Sequence, residues 1–290
     1  MNNQTLFKNQ FQNNLKTSIL MAITFAIVGA LGYAIALKFS NINYLYLFIA
    51  IGVIQNIVAY WFSGYFAIKG SGAVKVDVST GEGARLQRTV DRLSQMADLP
   101  SPEVYIIPDD SMNAFATGRN KYHAKVAATR GLLNKLSQDE LDGVMAHELG
   151  HVGNKDILIQ SVVAVMAGII TNMIYIFASR DDQGRSNPFV GILVMLLAPF
   201  AGLLIQMAVS RSREFQADAT AARITNNPNG LINALEKIHA NNVEPMEHAK
   251  ESMAHMYIAN PFGGQKSFVK FFMTHPPVEE RVAKLKALYL

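Results

Sequence analysis

Four long apolar stretches constrain the fold of this 290-residue chain more than any other feature. They cover residues 18–37, 42–62, 157–178 and 189–209. Each reaches the length of about 20 helical residues that crosses the hydrocarbon core of a membrane, where a helix satisfies its own backbone hydrogen bonds. Half of all residues are hydrophobic and only 17% are charged, which is too apolar for an ordinary soluble domain of this length. We therefore predict four transmembrane helices.

Basic residues at the ends of these stretches predict their orientation. Only Lys38 lies between the first two stretches, and Arg180 and Arg185 lie between the last two. The opposite ends carry Lys8, Lys16, Lys69, Lys75, Lys155, Arg211 and Arg213. Positive residues concentrate on the cytoplasmic side of membrane proteins, so both termini and both polar segments are predicted to be cytoplasmic. The first stretch is longer than the apolar core of a signal peptide, and we expect it to remain in the mature chain.

The apolar stretches divide the chain into four parts. Residues 1–63 hold the first two spans, residues 64–156 the first polar segment, residues 157–209 a transmembrane hairpin and residues 210–290 the second polar segment. Because a hairpin returns the chain to the side that it left, both polar segments can form one cytoplasmic domain. Within the first segment, the short apolar runs EVYII, NAFATG and AKVAAT are separated by turn-forming residues and indicate strands. The predicted fold class is α+β, mainly α, with a small antiparallel sheet.

A helix with the motif HELGH is the first candidate for a functional site. Ser137 and Glu140 form a capping box, which predicts where this helix begins. His147 and His151 lie one turn apart on one side of the helix and can share a metal ion, while Glu148 lies about 100° further around the axis, where it can reach a metal-bound water. The motif arises by chance in roughly one chain of this length in a hundred, so it does not establish a site alone.

A catalytic zinc ion usually has three protein ligands and an open position for water, so a third ligand is needed. The candidate is Glu214 in the helical pattern SRSREFQADATAARI, with Asp218 one turn later on the same face. Asp218 could accept a hydrogen bond from the outer nitrogen of a zinc-bound histidine. On spacing alone an alternative stays open, in which Glu214 and Asp218 only pair with Arg211 and Arg213 on a solvated helix end.

Composition argues against several other functions. The chain has no cysteine, which excludes a disulfide framework and a thiolate metal site. Its net charge of +4 does not indicate a nucleic-acid partner, because Lys and Arg are dispersed and no basic run is interleaved with aromatic residues. The apolar stretches contain no Asp, Glu or His, which a zinc transporter would need at that depth. HELGH is flanked by SQDELDG and GNKD, which are too polar for an intramembrane protease.

Four motifs, NAFATG, HELGH, SRSREFQAD and THPPVEER, occur in an order that resembles the HtpX family of bacterial membrane zinc metalloproteases, which are gluzincin-type peptidases. The resemblance covers nearly the whole chain. It implies a zincin-like metallopeptidase domain with one zinc ion per subunit, bound by His147, His151 and Glu214. It also implies Glu148 as the general base and Asp218 as the partner of a ligand histidine.

The same resemblance suggests how substrates are bound. Asn113 and Ala114 match an edge strand that pairs with the substrate backbone, a mode that recognises main chain whatever its sequence. His275 matches a histidine that stabilises the oxyanion of the transition state, and Arg281 lies near it in a supporting role at the substrate. The family implies proteolytic quality control of misfolded or damaged membrane proteins in the bacterial inner membrane under stress. The expected partners are polypeptides and the lipid bilayer, without nucleic acid.

One alternative to a protease is a catalytically inert membrane scaffold with a structural zinc, which a fourth protein ligand would favour because structural zinc sites are closed. Asn154 and Asp156 are expected to mark the boundary between helix and membrane rather than to act in catalysis. Residues 244–264 are expected to form a packed helix and loop rather than a flap over the cleft. Six residues separate His151 from the third apolar stretch, about 9 Å of continuous helix, so the zinc is expected just above the cytoplasmic membrane surface.

Overall fold

The computed structural model describes residues 3–79, 81–178, 210–241, 245–262 and 276–288. The chain begins with two long helices that pack against each other, α1 (Asn3–Lys38) and α2 (Asn43–Gly70). Within them, Gln10–Leu37 and Asn43–Gly70 are long and apolar enough to cross a membrane. The first predicted span lies inside α1, and the second lies inside α2 except for its first residue, Ile42, which caps that helix.

The remaining elements form a small sheet and a layer of helices. The strands are β1 (Val74–Lys75), β2 (Glu103–Ile107), β3 (Ala114–Thr117) and β4 (Lys125–Thr129). The helices are α3 (Gly81–Met96), α4 (Arg130–Lys135), α5 (Gln138–Asn154), α6 (Asp156–Ala178), α7 (Arg211–Thr225), α8 (Pro228–Asn241) and α9 (Val278–Ala287). Short 3-10 helices lie at Lys121–His123 and Glu251–Met256.

The third predicted span lies in α6, but the first half of this helix is enclosed by protein. Ile157, Ile159, Val162 and Val163 are fully buried, because this part of α6 packs against α1, α2 and the second 3-10 helix. The fourth predicted span, residues 189–209, lies outside the described residues. Length and composition therefore support two membrane-spanning helices in the described part of the chain, and the other two spans stay a prediction.

The four strands form one mixed sheet in the order β1-β2-β4-β3. β2 and β4 are parallel, whereas the β1–β2 and β3–β4 pairs are antiparallel. The prediction of an antiparallel sheet is therefore wrong. The reason is that the chain crosses over after β2: it forms β3 first and then returns as β4 between β2 and β3, running in the same direction as β2. β4 consequently lies beside β2, and β3 lies at the edge.

Helix α5 is the centre of the helical layer, with α3, α7 and α8 packed around it and β3 nearby. It begins with the predicted capping box: the Glu140 N–H donates to the Ser137 hydroxyl, and the Ser137 N–H donates to the Glu140 carboxylate. Nearly every residue of α5 is buried after the first turn. Because few of its side chains meet solvent, polar groups on this helix need partners inside the protein.

A turn with left-handed backbone separates α5 from α6. Lys155 has φ 60° and ψ 24°, and its N–H is bonded to carbonyl oxygens of His151 and Val152. This conformation is uncommon for a residue other than glycine and ends the helix. The continuous helix considered from the sequence is therefore broken, and the new helix begins with Asp156 next to the end of α5.

Tight packing between α5 and α8 makes one glycine of α5 sensitive to substitution. A Cβ atom at Gly143 would lie 2.5 Å from the backbone N and 2.7 Å from the Cα of Leu231. We expect Gly143→Ala to lower the free energy of unfolding by about 1–3 kcal/mol, the usual cost of overpacking. Gly153→Ala is the matched control on the same helix, because its Cβ would meet only Leu99 Cδ1 at 3.8 Å. Thermal unfolding in detergent compares the two variants, and equal unfolding temperatures would contradict the packing described.

Candidate metal centre

Two histidines of α5 face each other in the interior of the protein. His147 and His151 are one helical turn apart, and their Nε2 atoms are separated by 3.2 Å. The two rings are nearly perpendicular, with centroids 4.7 Å apart. Both side chains are almost fully buried, with exposed fractions of 1% and 4%. The helical spacing thus directs two imidazole nitrogens to the same small volume.

Glu214 of α7 brings a carboxylate to the two histidines. Its Oε1 atom lies 3.5 Å from Nε2 of His151, and its Oε2 atom lies 3.7 Å from Nε2 of His147. Helix α7 can approach α5 this closely because small residues form the contact between them. A Cβ atom at Gly150 of α5 would lie only 3.2 Å from the Cα atom of Ala217 of α7.

These three side chains fit a zinc ion. A tetrahedral zinc with ligand bonds near 2.1 Å separates its ligand atoms by roughly 3.4 Å. The two Nε2 atoms are 3.2 Å apart, and the carboxylate of Glu214 places one oxygen 3.5 Å from Nε2 of His151 and the other 3.7 Å from Nε2 of His147. Two imidazoles and one carboxylate also suit zinc chemically. Among the residues that the structure describes, no fourth histidine or carboxylate joins this group. Three protein donors of this kind leave one position of a tetrahedral metal ion open, as in catalytic zinc sites.

The outer nitrogen of His147 is held by a carboxylate. Its Nδ1 atom lies 2.9 Å from Oδ1 of Asp218, the residue that the sequence suggested for this position. Asp218 in turn accepts two hydrogen bonds from Arg281 of α9, from Nε to Oδ2 at 2.9 Å and from Nη2 to Oδ1 at 2.6 Å. Arg281 is 1% exposed. This position behind the ligands favours a supporting role for Arg281 over direct contact with a substrate.

Asp156 holds His151 in the same way, although from the sequence we expected this residue only to mark the boundary between helix and membrane. The Nδ1 atom of His151 lies 3.0 Å from Oδ2 of Asp156, which is fully buried. One signal in the sequence pointed to this contact: a carboxylate at the start of an apolar helix needs a polar partner once it is buried. The two carboxylates direct Nδ1–H of each histidine outward and leave each Nε2 available to a metal ion.

Burial and nearby charges shift the pKa values of the two histidines in opposite directions. Burial lowers the pKa of His147 to about 4. Burial also acts to lower the pKa of His151, but the charges of Glu214, Asp156 and Glu148 outweigh it and raise this pKa to about 9. At neutral pH without a metal ion, His147 is therefore neutral and His151 carries one additional proton. A divalent cation bound here would displace this additional proton and offset the charge of the surrounding carboxylates.

Glu148 lies beside these ligands on α5. It is 2% exposed, and its charge acts on His151. It does not belong to the group of three ligands, because it lies about 100° around the helix from His147. A carboxylate that is near the ligands and is not one of them suits acid–base chemistry. His275, for which the sequence suggested a part in catalysis, lies outside the described residues.

β3 is an edge strand, and its outer edge is covered by another part of the chain. The Ile258 N–H donates a hydrogen bond to the carbonyl oxygen of Ala114 at 3.0 Å. The side-chain amide of Asn113 donates to the carbonyl oxygen of Ala259 at 3.0 Å and accepts from its N–H at 3.2 Å. Residues 257–259 therefore pair with Asn113 and Ala114 through the groups that the sequence suggested for a substrate.

The chain matches one family of proteases along nearly its whole length. The sequence profile of peptidase family M48 matches residues 81–289. A "Protease HtpX homolog" of Salinibacter ruber is 44% identical over 278 residues, which are 95% of this chain and 98% of that protein. Another, of Paraburkholderia phytofirmans, is 46% identical over 280 residues, which are 94% of this chain and 96% of that protein.

A crystal structure of S. mikatae Ste24p is also similar, with 18% identity and a TM-score of 0.46 over 96% of this chain and 66% of that chain. The family profile includes the helix with the two histidines and the helix with Glu214, and the HtpX relatives also match the two long apolar helices. The chain therefore belongs to peptidase family M48, as a membrane metalloprotease of the HtpX family.

Proposed function

We propose that this metalloprotease is a zinc-dependent endopeptidase, with one zinc ion per subunit bound by His147, His151 and Glu214 and with Glu148 as the general base. One observation carries the proposal: the ligand atoms of the three side chains converge to separations of 3.2 to 3.7 Å in a chain of a peptidase family. The two carboxylates that hold the outer nitrogens of the histidines support the same assignment, because ligand histidines usually have such partners.

The chemistry follows from the placement of these groups. Zinc bound here would lower the pKa of a coordinated water to near 7 and polarise the carbonyl group of the scissile peptide bond. Glu148 accepts a proton from the attacking water and delivers it to the leaving amine. Asp218 and Asp156 keep the rings of His147 and His151 in a fixed orientation throughout. The chain needs no acylated residue of its own, because water attacks the peptide bond directly.

His275 and Arg281 complete the proposed machinery. His275 stabilises the negative charge that develops on the carbonyl oxygen of the substrate. It lies three residues before α9 in the sequence, a distance that extended chain spans in about 10 Å. Arg281, in the first turn of α9, reaches the Asp218 carboxylate, so the beginning of α9 lies near the three proposed ligands. Arg281 acts through Asp218, whose orientation it fixes.

We place the polypeptide substrate on the outer edge of β3, where it adds a strand to the sheet. The carbonyl group of Ala114 and the amide of Asn113 would then bond the substrate backbone instead of residues 257–259. The ring of Tyr257, which packs edge-to-face against Phe115 with centroids 5.2 Å apart, would leave together with that segment. Substrate binding is therefore a competition with the protein's own chain.

Aromatic residues near the end of α2 indicate the depth of this edge relative to the membrane. Trp61 and Tyr65 are about half exposed, at 54% each, and such rings concentrate at the membrane interface. The guanidinium of Arg119, which follows β3, stacks on Trp61 at 4.6 Å from the ring centroid. A Cβ atom at Gly64 would lie 3.2 Å from the Cα atom of Gly118. The end of β3 thus lies at the level of the interface.

From this depth and from the distribution of Lys and Arg, we propose that the enzyme lies in the bacterial inner membrane with its catalytic domain and both termini in the cytoplasm. Its substrates are misfolded or damaged membrane proteins and unfolded segments, whose chains reach the interface. The alternative is an inert membrane scaffold with a structural zinc. The absence of a fourth ligand among the described residues argues against it.

The first prediction separates catalysis from metal binding. Glu148→Gln is expected to retain zinc but to lower the rate of casein cleavage by a factor of at least about 10²–10⁴, because the amide cannot accept the proton. His147→Ala is expected to lose zinc. Glu236→Gln, on the exposed face of α8, is the control. Zinc content and cleavage are measured on metal-stripped and zinc-restored protein in detergent. Full activity of Glu148→Gln would show that Glu148 is not the general base. Tight zinc binding without casein cleavage by the wild type would favour the inert scaffold.

The second prediction concerns the covered edge of β3. Ile258→Pro removes the N–H that donates to Ala114, whereas Ile258→Val keeps it. One hydrogen bond is worth about 1 kcal/mol net, so its loss raises the fraction of molecules in which residues 257–259 have left β3 by a factor of roughly five. We expect KM for an unfolded substrate to fall by up to this factor in the proline variant, with kcat unchanged and with the valine variant like the wild type. An equal or higher KM in the proline variant would show that residues 257–259 do not compete with substrate.

The third prediction tests the orientation of the chain in the membrane. Because the protein has no cysteine, a single introduced cysteine can be labelled without background. Ser40 lies in the turn between α1 and α2, and Glu236 lies on the exposed face of α8. In intact spheroplasts a membrane-impermeant maleimide is expected to label Ser40→Cys but to label Glu236→Cys only after lysis. Labelling of Glu236→Cys in intact spheroplasts would place the catalytic domain outside the cytoplasm.

A further inference from the structure

The polar network behind His151 extends into the N-terminal apolar helix. Asn13 of α1 donates hydrogen bonds from Nδ2 to Oδ1 of Asp156 at 2.7 Å and to the carbonyl oxygen of Asn154 at 3.0 Å. Arg213 of α7 donates to Oδ1 of Asn13 at 3.2 Å and lies 3.6 Å from Oδ1 of Asp156. One oxygen of Asp156 thus faces His151, and the other is held by side chains from α1 and α7.

Burial makes this contact costly to lose. Asn13 is 3% exposed and Asp156 is fully buried. A buried amide or carboxylate without hydrogen-bond partners costs several kcal/mol. Asn13 lies on the same face of α1 as the buried residues Thr17, Leu20 and Thr24, which pack towards α6. Asn13 is thus the point at which this packed face of α1 meets the turn between α5 and α6.

A second side chain of α1 contacts the same end of α5. Gln10 donates from Nε2 to the carbonyl oxygen of Gly153 at 2.8 Å. The last carbonyl groups of a helix have no partner within it, so donors from elsewhere must satisfy them. Asn13 and Gln10 together therefore bond two successive carbonyl groups, those of Gly153 and Asn154. The end of the helix that carries the metal ligands is capped by the N-terminal helix.

We propose that Asn13 is a positioning residue, which fixes the Asp156 carboxylate and through it the ring of His151, so that the N-terminal apolar helix forms part of the metal centre. This inference rests on the proposed metal-binding role of His147, His151 and Glu214. Without the Asn13 amide, the carboxylate of Asp156 loses its shortest hydrogen bond and can rotate away from Nδ1 of His151. The ligand nitrogen then spends less time in the orientation that binds metal.

The two ligand histidines differ in where their support originates. Asp218, behind His147, is bonded by Arg281 of α9, which belongs to the second polar segment. Asp156, behind His151, is bonded by a residue of an apolar helix that is long enough to cross a membrane. A change in how α1 packs on the turn between α5 and α6 therefore alters one histidine and spares the other. Metal affinity consequently depends on the docking of α1.

Full-length variants in detergent test the proposal through metal affinity. Asn13→Leu keeps the side-chain volume and removes the amide, and Asn14→Leu is the matched control at the next, exposed position. Zinc dissociation constants are measured by competition with a chromophoric chelator, and thermal unfolding is measured on the metal-free proteins. We expect zinc to bind about 10-fold to 100-fold more weakly to Asn13→Leu, the usual effect of losing an outer partner of a ligand. Asn14→Leu is expected to bind zinc like the wild type.

A double-variant cycle separates positioning from packing. If Asn13 acts through Asp156, adding Asn13→Leu to Asp156→Asn weakens zinc binding no further. Multiplied losses in the double variant would show that Asn13 acts by packing α1 instead, which overturns the proposal. Wild-type affinity in Asn13→Leu overturns it as well, even if Asp156→Asn proves unstable. Zinc affinity that is unchanged by His147→Ala would instead refute the metal centre itself, and with it both proposals.

Discussion

The carboxylates buried beside His147 and His151 each need a polar partner, and the helices of this protein must pack so that they supply these partners. A carboxylate without a partner costs several kcal/mol in the interior, and the outer nitrogens of His147 and His151 each face one. Asp218 is neutralised by Arg281 of α9, and Asp156 is bonded by side chains of α1 and α7. The helices around α5 are therefore joined at the proposed metal centre by polar contacts as well as by apolar packing.

The sequence predicted those parts of the site that depend on local periodicity. The capping box and the spacing of HELGH define one helix with two histidines on one side, and the E-x-x-x-D spacing places Glu214 and Asp218 on one face of another. It did not predict Asp156, because that contact depends on the left-handed turn at Lys155. Nor did it predict Asn13, whose partner Asp156 lies 143 residues away in the chain. The mixed sheet was missed because the crossover that places β4 between β2 and β3 is a long-range feature without a local signal in the sequence.

The apolar helices are more than anchors for a separate catalytic domain. α1 caps the end of the helix that carries the ligands, and the end of α2 packs against β3, which is the edge proposed for substrate. The first half of α6 is enclosed by these same helices. Removal of residues 1–63 would therefore expose apolar surface and also leave polar groups at the metal centre without partners. Apolar and polar segments are separate along the sequence, but in the folded protein they pack together into one unit around the site.

The covered edge of β3 offers a physical basis for the proposed preference for damaged proteins, without any recognition of sequence. An edge strand bonds main chain, so it does not distinguish one sequence from another. The segment 257–259 holds that edge with a backbone hydrogen bond to Ala114 and two bonds to Asn113, each worth about 0.5–1.5 kcal/mol net. A short or folded loop cannot form all three of these hydrogen bonds at once in place of residues 257–259. Its own backbone groups are already bonded within the loop, or the fold keeps them too far apart. An unfolded stretch can do so, since it offers consecutive free backbone groups, and at the proposed depth of β3 such a stretch would come from the membrane interface.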